Sequence, residues 1–276
     1  MAIKNRNREK YTFANINLLG KCNADCFFCL GKDIQQLLDG KNQLNTHFSE
    51  WLDFDKFISM CDKERIKKLY ITGQTADGLQ YKYLEELVDF LQELGFLVGV
   101  RTNGYLALKK LDVINKMKEE IGYSIHTLDP FINKKIMGID RLPDWDSIIP
   151  LSGNNVRVAI VINRFNVAEI YEIMDYISTF PNVRYIQLRR VSTDTREEFL
   201  ERDIKCFEEF YNSFILDNEK IGEFSLAPIY KYKGKDVLFW RTVETCTNSL
   251  NYFTDGTCSD LYFIIEGYRK YHIGGL

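Results

Sequence analysis

The sequence lacks an apolar run that could cross a membrane and lacks the apolar core of a signal peptide. No stretch reaches the roughly 18 consecutive apolar residues that indicate a transmembrane helix. The basic segment at residues 1–8 is followed by polar residues, so we expect no secretion signal. These two absences exclude a membrane from the partners that we expect.

The sequence also lacks an excess of positive charge and an even set of cysteines. The formal net charge is −3, with 36 basic and 39 acidic residues, which provides no basic field for a nucleic acid. Seven cysteines are an odd number, and three of them lie in one short loop, so they favour a reducing compartment over a disulfide scaffold. We therefore expect a cytoplasmic protein without a nucleic-acid partner.

Three of the cysteines, Cys22, Cys26 and Cys29, follow an apolar segment with the spacing C-x3-C-x2-C. Short gaps let three sulfur atoms point at one centre, and cysteines this close cannot easily pair as a disulfide. An electron-transfer cluster normally takes four cysteines, so three thiolates would leave one iron free to bind another molecule. The spacing indicates a [4Fe-4S] cluster, and the alternatives are a zinc site or three structural thiols.

Strand and helix patterns alternate along the first three quarters of the chain. Apolar periodicity predicts six strands beginning near residues 11, 69, 97, 121, 156 and 183, each followed by a helix. Strands separated by helices pair in parallel through right-handed crossovers. We predict an α/β fold in which residues 1–218 form a partial (β/α)6 TIM barrel. Ligands should bind at the carboxyl ends of its strands, where the cysteine loop falls.

The last part of the chain has a different pattern. Short strands are predicted at residues 224–229, 237–240, 250–253 and 261–265, with turn signals at Lys233-Gly234 and Thr254-Asp255-Gly256. We predict that residues 219–276 form a small, mainly antiparallel β extension.

The cysteine loop resembles the signature of radical S-adenosylmethionine (radical SAM) enzymes, and the resemblance covers about residues 11–190. It is nearest to the branch that contains enzymes like the molybdenum-cofactor GTP 3′,8-cyclase and enzymes with a SPASM or twitch extension. The resemblance implies that the three cysteines hold the cluster and that SAM binds its open iron. It further implies that one-electron reduction cleaves SAM to a 5′-deoxyadenosyl radical, which abstracts hydrogen from a substrate.

Residues at the predicted strand ends match positions that contact SAM in this family. Phe28 is similar to the aromatic residue beside adenine, and Ser124 to a ligand of the ribose or carboxylate. Thr102 belongs to a Thr-Asn-Gly stretch, and Asn163 matches a common SAM contact. Arg189 stands at an adenine-side position, or it could bind a substrate carboxylate or phosphate.

The turn Gly73-Gln74-Thr75 is similar to the Gly-Gly-Glu turn that receives the methionine ammonium group of SAM. Gln74 replaces the second glycine of that turn, and Thr75 replaces the glutamate. Backbone carbonyls and neutral oxygens are still available there, whereas the negative charge is lost.

Three residues are candidates for the steps that follow hydrogen abstraction. His126 stands where an aspartate is usual and could donate a proton or contact the substrate, or it could be a hydrogen-bonded barrel histidine. Tyr123 and Cys258 could return a hydrogen atom. Cys246 and Cys258 flank a hairpin similar to a reduced twitch or SPASM domain, which implies a second Fe–S cluster, although two cysteines are too few to hold one.

We therefore expect an enzyme that acts on a small molecule or a peptide and takes electrons from a reductant such as flavodoxin or ferredoxin. The product radical could lead to epimerisation, dehydrogenation, cyclisation or rearrangement. The alternatives are a non-catalytic Fe–S or zinc-binding protein and an activating enzyme for a glycyl-radical partner.

Overall fold

The computed structural model describes residues 11–153 and 155–272, and within them eleven strands form one sheet. The strands are β1 (Phe13–Leu19), β2 (Lys68–Gln74), β3 (Leu97–Thr102), β4 (Ile121–Ser124), β5 (Val156–Val161), β6 (Val183–Arg189), β7 (Lys220–Phe224), β8 (Ala227–Tyr232), β9 (Lys235–Trp240), β10 (Ser249–Phe253) and β11 (Cys258–Ser259). Strands β1 to β6 pair in parallel and in chain order. The predicted α/β fold with a parallel core is confirmed.

Helices lie in the connections between the parallel strands, and α8 follows the sixth. The helices of the described residues are α1 (Gln35–Leu38), α2 (Phe54–Lys63), α3 (Leu84–Glu93), α4 (Leu111–Lys116), α5 (Pro130–Met137), α6 (Trp145–Leu151), α7 (Ile170–Ser178), α8 (Glu197–Asp217) and α9 (Ile264–Tyr271). Most helices bury an apolar stripe against the sheet, because a parallel sheet is stable only where its faces are covered.

Successive residues of each parallel strand point to opposite faces of the sheet. One set packs beneath the helices in the main apolar core, as Ile16, Ile71 and Val100 do. The alternate set faces the inside of the partial barrel and is more polar, as Asn15 and Arg101 show. The inner face is therefore the surface that can offer hydrogen bonds and charge to a ligand.

The C-terminal strands continue the sheet at both of its edges. Strand β9 pairs in parallel with β6, and β10 pairs in parallel with β1. The predicted antiparallel pairing is confirmed for β7 with β8, β8 with β9 and β10 with β11. The division of the chain at residue 218 into a barrel and an extension stays a prediction.

Two predicted C-terminal strands are wrong in detail. The segment at residues 224–229 is interrupted by a hairpin turn in which Ser225 and Leu226 have φ of 51° and 71°. Such turns usually carry glycine or asparagine, so Ser-Leu gave no turn signal. The segment at 261–265 is not a strand, because helix α9 begins at Ile264 and buries Ile265 and Tyr268 in a small core beside the sheet.

No helix within residues 11–153 and 155–272 has the length and apolar character needed to cross a membrane. The basic segment at residues 1–8 lies outside the described residues.

Candidate functional site

The three cysteines of the loop that follows β1 lie next to one another. All three are free thiols. Burial raises the pKa of Cys22 to about 12 and also raises the pKa values of Cys26 and Cys29. Repulsion between the thiolates adds to these shifts, and it acts between Cys22 and Cys26, between Cys22 and Cys29, and between Cys26 and Cys29. Three partly buried thiolates that repel one another need positive charge between them, which the irons of an iron–sulfur cluster supply. The donor set therefore fits a [4Fe-4S] cluster with three cysteine ligands.

A single metal ion requires a tighter arrangement of ligands than a cluster does. Among the residues that the structure describes, no three His, Cys, Asp or Glu side chains converge to hold one ion. Sulfur ligands of zinc lie about 2.3 Å from the same ion, whereas cluster thiolates bind separate irons and stand further apart.

The cysteine loop is attached to the end of helix α5 by backbone hydrogen bonds. The amide of Asp25 donates to the carbonyl of Met137 at 2.8 Å, and the amide of Phe27 donates to that of Ile136 at 3.1 Å. These bonds use carbonyls of the last helical turn, which have no partner within the helix. The middle of the loop is therefore held by a regular element of the barrel.

Arg196 fixes the second half of the loop. Its guanidinium donates to the carbonyls of Phe27 and Cys29, both at 2.8 Å, and forms an ion pair with the fully buried carboxylate of Asp33. Burial opposes ionisation of Asp33, but hydrogen bonds from Thr193, the Asp194 amide and Arg196 lower its pKa overall. The sequence carried no signal for this anchor, because Arg196 and Asp33 are 163 residues apart.

The first half of the loop is fixed by two side-chain amides. The Asn103 amide nitrogen lies 2.7 Å from Asn23 Oδ1 and 3.9 Å from Cys22 Sγ. The Gln80 side chain accepts a hydrogen bond from the backbone amide of Asn23 at 3.2 Å and donates one to the backbone carbonyl of Lys21 at 3.1 Å. Gln80 is a functional candidate that the sequence reasoning missed.

The buried carboxylate of Asp77 organises the strand ends beside Cys22. It accepts from the hydroxyl of Thr102 at 2.9 Å, from the Asn103 amide at 2.7 Å and from the Leu79 amide at 2.9 Å. Burial nevertheless raises the pKa of Asp77. Thr102 therefore acts on the site through Asp77, because its hydroxyl donates its hydrogen bond to that carboxylate.

The turn Gly73-Gln74-Thr75 approaches the chain just after the cysteine loop, where a Cβ at Gly31 would lie 2.7 Å from Thr75 Cγ2. A Cβ at Gly73 would lie 2.1 Å from the carbonyl oxygen of Ala76, so this tight turn requires glycine. Thr75 has a φ of 56° and donates its hydroxyl to the Gln74 carbonyl at 2.7 Å. Gln74 is buried, with 5% of its surface exposed. The turn thus presents neutral groups only.

Phe28, which lies in the cysteine loop between Cys26 and Cys29, contacts His126. Their rings meet edge to face with centroids 5.1 Å apart. The His126 Nδ1 accepts from the Val161 amide at 3.1 Å, which assigns the proton to Nε2. Burial, together with the charge of Arg189, lowers the pKa of His126 to about 3. His126 is therefore a neutral hydrogen-bond donor through Nε2.

Ser124 and Asn163 occupy different environments at neighbouring strand ends. Ser124 lies on the inner face of β4 and is partly exposed, and its side chain has no hydrogen bond to any described residue. Asn163 is fully buried, donates to the Val161 carbonyl at 2.9 Å and accepts from the Phe165 amide at 3.0 Å. The Ser124 hydroxyl is available to a ligand, whereas the side-chain amide of Asn163 is used in hydrogen bonds to the backbone of its own turn.

Tyr123 and Cys258 lie on the helix side of the sheet. The Tyr123 hydroxyl is 2.6 Å from Ser152 Oγ, and its ring is part of the main core. Cys258 packs against the same core, and together with burial it raises the pKa of Cys61 to about 12. Neither residue faces the barrel interior.

The two cysteines proposed for a second cluster lie in different surroundings. Cys246 is exposed, with its amide 3.4 Å from the Ser225 carbonyl, whereas Cys258 pairs with Tyr252 of β10. This arrangement does not support a second cluster.

A family model described as "Radical SAM superfamily" matches residues 16–177, which is more than half of the chain. The chain therefore belongs to the radical SAM superfamily. The resemblance of its cysteine loop to that family is confirmed, and the family implies a [4Fe-4S] cluster and SAM.

Two curated proteins are similar in sequence. The chain is 26% identical over 174 residues to a probable GTP 3′,8-cyclase of Sulfolobus acidocaldarius, a match that covers 59% of this chain and 51% of that protein. It is 26% identical over 124 residues to an S-adenosylmethionine-dependent nucleotide dehydratase of a Thermoplasmatales archaeon, which covers 44% of this chain and 40% of that protein. The chain thus spans about half or less of the length of these relatives.

SuiB of Streptococcus suis is among the solved proteins that are similar in structure. SuiB bound to S-adenosylmethionine has a TM-score of 0.62 at 14% identity, over 90% of this chain and 60% of that chain. SuiB bound to its precursor peptide SuiA has a TM-score of 0.59 at 14% identity, over 93% of this chain and 61% of that chain. At this level of identity the similarity concerns the fold.

Proposed function

We propose that this chain is a radical SAM enzyme in which Cys22, Cys26 and Cys29 hold a [4Fe-4S] cluster at the carboxyl ends of the parallel strands. When bound, the cluster and SAM supply a 5′-deoxyadenosyl radical that abstracts hydrogen from the substrate. The observation that carries the proposal is the grouping of three partly buried thiols in one doubly anchored loop beside β2 and β3.

The surrounding residues have separate roles in this proposal. Phe28 and His126 form one wall next to the loop, where an apolar ring and an Nε2 donor suit a purine. The Ser124 hydroxyl binds the ribose or carboxylate of SAM. The carbonyls of the turn at Gly73 and Gln74 accept from the methionine ammonium group, which finds no negative charge within that turn.

Asn163 and Thr102 are proposed as positioning residues. Their side chains bond to Val161 and Asp77 and so hold two strand ends in place. Arg189 is proposed to face the substrate, because a guanidinium at a strand end is suited to a carboxylate or a phosphate. Tyr123 and Cys258 lie on the other side of the sheet and receive no catalytic role.

The substrate class is proposed as a small molecule or a peptide. The names of the two curated relatives refer to nucleotide substrates, and SuiB has been solved with a peptide. We propose flavodoxin or ferredoxin as the reductant, in a reducing cytoplasm that prevents disulfide formation among the seven cysteines.

The test is anaerobic reconstitution with iron and sulfide, followed by incubation with SAM and dithionite. We expect about four irons per chain and the formation of 5′-deoxyadenosine. Cys26→Ser should lose most of the iron and all 5′-deoxyadenosine. Cys246→Ser is the matched control, because this exposed cysteine lies outside the loop.

A reconstituted protein that carries four irons but yields no 5′-deoxyadenosine would refute the enzymatic proposal. Equal iron content in the Cys26→Ser variant and the wild type would refute the assignment of the ligands.

A further inference from the structure

Three arginines lie on the inner face of the barrel, on three of its parallel strands. They are Arg101 of β3, Arg157 of β5 and Arg189 of β6. Their immediate strand neighbours pack on the helix side in the main core: Val100, Val158 and Leu188. Since neighbouring strand residues point to opposite faces, the three guanidinium groups all point into the barrel.

A single carboxylate balances two of these three charges. Glu120 Oε1 lies 2.6 Å from Arg101 Nη1 and 3.1 Å from Arg157 Nε. Arg189 donates to Thr242 Oγ1 at 3.3 Å and forms no ion pair with any described residue. Burial lowers the pKa of Arg189, and the charges of Arg157 and Arg101 lower it further, whereas Tyr262 and Tyr185 oppose the shift. Three guanidinium groups thus share one carboxylate, and this set of four side chains carries a net positive charge.

The backbone provides space for these side chains. A Cβ at Gly122 of β4 would lie 2.5 Å from Arg157 Nη2 and 2.8 Å from Arg101 Cδ. Glycine at this position therefore lets the two arginines lie side by side. The Arg101 side chain is 26% exposed although it points into the barrel, so water-accessible space borders it.

An unpaired guanidinium inside a protein is unfavourable, and a bound anion removes the penalty. The planar fork of arginine matches the two oxygens of a carboxylate or phosphate. We propose that Arg101, Arg157 and Arg189 bind an oxyanion group of the substrate, a phosphate or a carboxylate, inside the barrel. This inference rests on the proposed function, since Arg189 lies near His126 and so connects the oxyanion to the wall beside the cysteine loop.

The test uses the anaerobic, cluster-loaded protein saturated with SAM, without reductant. Inorganic phosphate and acetate are titrated separately against chloride at constant ionic strength, and the unfolding temperature is recorded. Because SAM is saturating, its carboxylate already fills its own binding site, and the added anion cannot bind there. We expect one of the two anions to raise the unfolding temperature in a saturable manner, and the anion that does so identifies the source of the oxyanion.

Arg189→Gln should weaken the apparent affinity for that anion about tenfold or more, because a charge-assisted hydrogen bond is lost. Arg184→Gln is the matched control, because this exposed arginine lies on β6 and bonds to Asn155. Without added anion, Arg189→Gln should unfold at the same temperature as the wild type or higher, since an unpaired charge has been removed. A structural arginine would show the opposite shift.

Two results would overturn the inference: no stabilisation of the SAM-saturated protein by either anion, or a lower unfolding temperature of Arg189→Gln than of the wild type without anion. Formation of 5′-deoxyadenosine is measured in parallel. Normal formation without anion binding refutes this inference alone, whereas anion binding without 5′-deoxyadenosine refutes the proposed function alone.

Discussion

The neutral state of His126 predicts a specific loss of stability in mild acid. The folded protein holds the pKa of His126 at about 3, against an ordinary value of 6.5, through burial and the nearby charge of Arg189. The unfolded chain therefore binds a proton below pH 6.5 that the folded protein rejects. The contribution to stability is complete above pH 6.5 and is lost as the pH falls toward 3. Between pH 7.5 and 5.5 the linkage relation gives a loss of about 1.4 kcal/mol.

The assay is urea unfolding of the cluster-loaded protein under anaerobic conditions at pH 7.5 and 5.5. The comparison variant is His126→Asn, because its amide oxygen can accept from the Val161 amide as Nδ1 does and does not titrate. Effects of acid on all other groups are shared by both proteins. The wild type should lose about 1.4 kcal/mol more than the variant over this pH interval.

Equal losses in the two proteins would refute the reasoning, because they would mean that His126 binds its proton equally well when folded. A wild type that gains stability relative to His126→Asn in acid would reverse the sign and indicate a charged histidine in the folded state.

Three further predictions concern the anchor of the cysteine loop, the barrel interior and the outer core. Arg196→Ala should lower the iron content after reconstitution, because two carbonyls of the loop lose their donor; iron per chain measures this. Gly122→Ala should destabilise the protein by about 1–3 kcal/mol in urea unfolding, since its methyl group would meet Arg157 at 2.5 Å. Tyr123→Phe should cost about 1 kcal/mol through the lost bond to Ser152 and leave 5′-deoxyadenosine formation unchanged.

Each of these predictions has a clear contrary outcome. Unchanged iron content in Arg196→Ala would mean that the bonds to α5 hold the loop without it. Wild-type stability of Gly122→Ala would mean that the inner arginines can move aside. A fall in 5′-deoxyadenosine with Tyr123→Phe would assign this hydroxyl a role that its position on the helix side does not provide.

The placement of Tyr123 illustrates a conclusion that was already available from the sequence. Tyr123 and Ser124 are neighbours on β4, and neighbouring strand residues point to opposite faces. They cannot both face a ligand in the barrel, so a ligand contact by Ser124 requires that Tyr123 packs under the helices, as it does. The regular period of a strand thus constrains site residues as well as core residues.

The C-terminal region shows where local patterns fail. The strands near residues 237 and 250 were recognisable, but their pairing was not, because strand pairing depends on contacts between segments far apart in the chain. Strand β10 pairs with β1, and β9 pairs with β6, so the C-terminal region extends the barrel sheet at both of its edges. Helix α9 was missed because its apolar residues follow directly on a strand-like segment.

The sequence by itself determined the cysteine loop and the alternation of strands and helices, since both depend on spacing within a few residues. Only the tertiary structure decided which groups hold that loop and how the charges balance. Arg196 reaches Asp33 across 163 residues, and Arg101 and Arg157 share Glu120 while Arg189 has no carboxylate partner among the described residues. Such pairings depend on where folded segments meet, and no local pattern encodes them.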